Sequence, residues 1–229
     1  MKKLGSLNIC AAAVLVSIAA TPAALAQGGL GGALGGLGGG APVSTADLSS
    51  GLGGLSATFA GSFQNMLAAE ALSAKAFGLK ADGEQLEKLA AYYGKGNVED
   101  YDQVKRDINV SADTQAKIDE KMASAQTLDA ASKKQLSAAA PYYALGTAHA
   151  AQLPGQYAAW VSRAQTAMKN PVALVSNPGL VAQVPKVVQL SAGLPDLTGK
   201  WISVTKGFVT FTQKQKIDTG DLSAKIGSL

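Results

Sequence analysis

The chain has 229 residues, with 20 Lys and Arg against 16 Asp and Glu, and only one His and one Cys. A net charge of +4 lacks the concentrated basic face that nucleic acid demands, so no nucleic-acid partner is expected. A single cysteine and a single histidine exclude a disulfide framework and the usual zinc ligand sets, and no metal or cofactor is expected.

The first 26 residues read as a signal peptide. Lys2 and Lys3 form a basic start, Ile9 to Ala20 is apolar, and Ala24-Leu25-Ala26 fits an A-x-A cleavage site before Gln27. The apolar run is too short for a stable membrane span, and Cys10 departs with it. The remaining residues, 27–229, contain no cysteine and carry a net +2, so their stability must come from packing. The expected destination is the periplasm or the medium. Residues 27–135 carry −3 and residues 136–229 carry +5, a mild asymmetry consistent with solvated lysines.

Residues 27–54 open as a Gly-rich flexible leader, because glycine loses more backbone freedom on ordering than any other residue. Ser44 or Thr45 can cap a helix, with Asp47 in its first turn. Leu48, Leu52, Leu55, Phe59, Phe63 and Met66 then form an apolar stripe. Gly51, Gly53 and Gly54 each weaken its first turns by roughly 1 kcal/mol relative to Ala, which places the firm start near Leu55 and the end at Phe77-Gly78. Glu70 is the one charge between Asp47 and Lys75. Its expected environment is Lys75 or water, and a contact with His149 is the alternative.

Asp82-Gly83-Glu84-Gln85 resembles a capping box for a helix carrying Leu86, Leu89, Ala90 and Tyr93, ended by Gly94-Lys95-Gly96. Residues 97–108 read as a charged short helix or turn. A separate polar helix is expected from Ser111 to about Ala125, with Ile118 and Met122 inward. The acidic run Glu99-Asp100-Tyr101-Asp102 lacks the glycine and terminal glutamate of a calcium loop.

After Asp129 comes the longest uncharged stretch of the mature chain's centre, between Lys134 and Arg163. Unpaired charges are rarely buried, so a charge-free run predicts the buried middle of a helical bundle. Leu136, Ala140, Tyr143 and Thr147 line one face, and Tyr142, Leu145, His149 and Leu153 another. Pro141 should kink this helix or begin it, and Pro154-Gly155 should break it before a second helix with Tyr157, Trp160 and Val161. Prolines at 171, 178 and 185 sit seven apart and predict short helices over 171–190, placed as a lid. Leu197, Trp201, Val204, Phe208 and Phe211 fall on a helical spacing, although 198–212 is also rich enough in β-formers for a hairpin; helix is favoured. Residues 213–229 read as a polar tail.

Taken together, the pattern predicts an all-α, single-domain bundle of about six to seven helices over residues 55–212. Nucleophilic chemistry would need His149, and no G-x-S-x-G elbow or phosphate loop is present. A lone histidine on an apolar face is more often a core residue. The expected function is therefore not enzymatic. It is the binding or carriage of a hydrophobic small molecule or lipid in the cell envelope, in a pocket lined by Tyr142, Leu145, His149, Tyr157 and Trp160. The alternative is a structural or partner-binding envelope protein with no small-molecule ligand.

Overall fold

Helix formation begins at Ser44, whose side chain accepts the Asp47 N–H at 3.1 Å while Asp47 Oδ2 accepts the Ser44 N–H at 3.1 Å. This reciprocal capping box satisfies two backbone donors that the first turn would leave unpaired. The computed structural model describes residues 44–98, 100–168, 187 and 193–227. They contain α1 (Thr45–Ala76), α2 (Lys80–Tyr93), α3 (Tyr101–Ser124), α4 (Ala130–Met168), α5 (Leu194–Lys214) and α6 (Leu222–Gly227). Among the described residues the fold is all-helical, as the periodicity predicts, and 198–212 is helix rather than hairpin. No helix there is long and apolar enough to cross a membrane.

Several boundaries differ from expectation. α1 runs through Gly51, Gly53 and Gly54 and starts ten residues before Leu55. The cap supports this early start, and the indole of Trp160 lies against Gly51, where a Cβ would stand 3.1 Å from Cδ1. α2 has no side-chain cap, and Asp82 instead accepts from Lys117 Nζ of α3 at 2.6 Å. The two polar pieces expected over 97–125 are one helix, opened by Asp100, whose carboxylate accepts the Gln103 N–H at 3.0 Å. α4 continues through both Pro141 and Pro154. Pro154 has no N–H to give the Ala150 carbonyl, and Thr198 Oγ1 of α5 stands 3.4 Å from that oxygen as a replacement donor. The lid expected over 171–190 lies outside the described residues, except that Val187 is buried. Beyond α5 the chain is not a free tail: Ile217, Leu222 and Ile226 are buried, and Ser137 donates to the Asp218 carbonyl at 2.7 Å.

The centre of the bundle is α1, not α4. α1 packs against α2, α3 and α4, and α5 and α6 close over α4. Its inward side carries Phe59, Phe63, Met66, Leu67 and Glu70, all buried. A ring cluster joins three helices: Phe63 stands 4.7 Å from Tyr93 and 5.7 Å from Trp201, and Phe59 stands 6.3 Å from Trp201. Such pairs add about 0.5–1.5 kcal/mol each beyond area burial. α1 and α4 approach closely at Gly146, whose carbonyl accepts Ser62 Oγ at 2.8 Å and whose missing side chain leaves room for Met66.

Candidate ligand-binding cleft

Between α3 and α5, with α1 as its floor, lies a cleft of about 1510 Å³. α3 is the most polar of the long helices and does not seal against α5, so the floor of α1 stays uncovered there. Phe59, Ile108, Leu194, Leu197, Trp201 and Val204 supply its apolar lining. Phe59 and Glu70 lie eleven residues apart on α1, about 16 Å at 1.5 Å per residue. The cleft thus has an aromatic region around Phe59 and Trp201 and a polar region around Glu70.

Glu70 is 1% exposed and accepts Ser111 Oγ at 2.7 Å. Lys75, which could have balanced it, pairs with Glu87 of α2 instead. Burial therefore dominates, and the Glu70 carboxyl is pushed up to about 8, with the Ser111 hydrogen bond opposing and nearby Asp119 assisting the rise. One turn beyond Ser111, Gln115 donates Nε2–H to Asp119 Oδ1 at 2.7 Å. Asp119 can only accept, so it fixes the orientation of this amide, and Gln115 Oε1 is left buried without a partner. On the other side of α1, the buried Tyr143 hydroxyl stands 3.4 Å from Ser73 Oγ; burial and the Glu70 charge hold its ionisation far above the ordinary range.

The five residues expected to line a pocket lie elsewhere. None of Tyr142, Leu145, His149, Tyr157 and Trp160 is among the described residues lining this cleft. Trp160 is buried, with Nε1 donating to the Leu48 carbonyl at 3.0 Å. Leu145 is 50% exposed, and Tyr142 and Tyr157 are half-buried against the core. His149 is half-buried beside Gly61; its Nδ1 is enclosed without a hydrogen-bond partner, unlike the satisfied core histidine that its setting suggests. Glu70 meets neither expected environment, Lys75 or water.

Ser111, Gln115 and Trp201 escaped sequence reasoning as site residues. The available signal was Glu70 itself, an acid isolated inside an apolar stripe. Among the described residues no group of three or more His, Cys, Asp or Glu is placed to hold a metal ion. Compared with family models, with curated proteins and with solved structures, the chain matches none.

Proposed function

We propose that this chain is an exported, non-enzymatic helical protein that binds an amphipathic small molecule or lipid, and that the α3–α5 cleft is where it does so. The observation that carries the reading is the pairing, in one large cleft, of an aromatic wall with a buried polar cluster. Small-molecule sites are mostly apolar cavities with a few placed polar groups, and 1510 Å³ accommodates a single acyl chain with its head group. Binding is favoured over catalysis by the setting of Ser111. It is 3% exposed and sits mid-helix, where backbone N–H groups are committed to the helical ladder and cannot form an oxyanion hole. Export rests on the basic start, apolar run and A-x-A site, and predicts a secreted form beginning at Gln27.

The two tryptophans allow a direct test. In Trp160→Phe the remaining indole is that of Trp201, in the cleft wall. Adding monodecanoylglycerol, a lipid with an uncharged head, below its micellar concentration should shift the Trp201 emission. Ser203→Phe, an exposed position on the cleft lining, should block the shift without disturbing the core. Emission indifferent to the lipid, or a response undiminished in the plugged variant, refutes the assignment.

A further inference from the structure

The polar end of the cleft says more about its guest, if the binding reading above holds. The buried polar atom of the described lining that is left without a partner is an acceptor. Gln115 is 6% exposed, lines the cleft, and has an Oε1 with no partner. Leaving such a buried acceptor unmet costs roughly 1–3 kcal/mol, so a ligand donor that meets it recovers that cost. Glu70 lies on the floor of the same cleft, receives one hydroxyl from Ser111, and has no cation paired with it among the described residues, Lys75 being engaged by Glu87. The balance of charge in the described lining is negative. The described lining holds the carboxylates of Asp100, Asp102, Asp119 and Asp196 besides Glu70, against Lys105 and Lys200. From α4, the group turned toward Glu70 is the neutral Tyr143 phenol.

An unmet buried acceptor beside a buried carboxyl, in a lining with excess negative charge, suits a donor-only cation. A primary ammonium brings three donors and no acceptor, whereas a phosphate or carboxylate head would face carboxylates. We infer that the cleft takes a primary-ammonium amphiphile, its cation received by Glu70 and Gln115 Oε1 and its apolar body laid along Trp201 and Phe59. The ammonium forms its strongest contact with the ionised Glu70 carboxylate, so binding expels the proton that Glu70 holds in the empty cleft. With that carboxyl at about 8, affinity for the cation should climb from pH 6 toward pH 8, approaching tenfold per pH unit, and level off above. The alkylammonium itself stays charged throughout, since its ionisation lies near 10.4.

The test uses the Trp201 emission of the Trp160→Phe full chain with three probes of one chain length, each below its micellar concentration: decylammonium, decyl sulfate and decyl maltoside. At pH 9 decylammonium should bind at least tenfold more tightly than decyl sulfate, and only decylammonium should show the rise between pH 6 and 8. Glu70→Gln should abolish that rise and lower decylammonium affinity about tenfold, with decyl maltoside unchanged; Gln115→Leu should narrow the cation preference. The pH profile of the Trp160→Phe chain needs no substitution within the cleft and so decides even where a Glu70 or Gln115 variant folds poorly. Equal affinities for the three probes would overturn the cation assignment while leaving amphiphile binding standing. A preference that survives Glu70→Gln but vanishes in Asp100→Asn with Asp196→Asn would also overturn it, assigning the effect to the rim. Failure of all three probes to bind would remove the binding reading itself.

Discussion

Replacing Glu70 by Gln should stabilise the protein at high pH, and the size of the effect follows from the burial of the carboxyl. Below about pH 4.5 the group is protonated in both folded and unfolded chains. Above that the unfolded chain releases its proton, while the folded chain holds it up to about 8. Over this window the unfolded state binds fewer protons than the native state, so stability falls as pH rises and the loss is complete above 8. Raising a carboxyl from 4.5 to about 8 corresponds to on the order of 5 kcal/mol, at about 1.36 kcal/mol per tenfold. That is a large part of the roughly 5–15 kcal/mol by which most domains are stable. Glutamine can still accept from Ser111 and carries no charge, so the variant escapes the loss. Urea unfolding followed by circular dichroism at pH 5, 7 and 9 should show the variant gaining on the wild type by several kcal/mol across the series, with most of the gain in place by pH 7. Parallel stability curves for the two proteins would mean that Glu70 is solvated or paired, and the reasoning would fail with them.

Substitutions at three further sites probe the packing of the bundle outside the cleft lining. Gly146→Ala would place a Cβ 2.9 Å from Met66 Sδ and 3.1 Å from the Met66 backbone nitrogen, and should cost about 1–3 kcal/mol, read as a fall in Tm; an unchanged Tm would deny the close approach of α1 and α4. Trp160→Ala removes a buried indole and its bond to the Leu48 carbonyl, and should cost about 3–5 kcal/mol in urea unfolding, against about 1 kcal/mol for Trp160→Phe. Thr147 and Thr205 share a buried hydroxyl pair 2.7 Å apart across α4 and α5, so Thr205→Val should cost about 1–3 kcal/mol, and Thr147→Val in the same chain should recover part of it; strictly additive losses would show that the hydroxyls do not interact.

The helices were legible because their apolar spacing is regular. Leu136, Ala140, Tyr143 and Thr147, read as one face of α4, are all buried, and so are Trp201, Phe208 and Phe211 of α5. Breaks were less legible, since a proline or glycine states only a local cost. Tertiary partners offset that cost here: the Thr198 hydroxyl at the Ala150 carbonyl beside Pro154, and the Trp160 indole over Gly51. Conversely, the capping pattern at Asp82 was available, but α2 begins at Lys80 and Asp82 meets Lys117.

The site was misplaced for a different reason. Absence of charge does not by itself imply burial, even for a large side chain. In α4, short side chains tolerate solvent, and Leu145 is 50% exposed on a face with no charge at all. The helix that walls the cleft, α3, reads as a polar helix with Ile118 and Met122 inward, and the buried set is wider: Val104, Asp107, Ser111, Thr114, Gln115 and Ile118. Four of those six are polar, and polar groups turned inward need partners; Asp107 finds Tyr93 at 2.8 Å and Ser111 finds Glu70, while Gln115 Oε1 finds none. A polar helix laid over an apolar floor cannot close as tightly as the aromatic contacts of α1, α2 and α5, so the gap opens along α3. The single acid inside the apolar stripe of α1 was thus the one residue in the chain that marked where this gap would be, because a carboxyl at that place is tolerable only opposite hydroxyl and amide groups such as those α3 supplies.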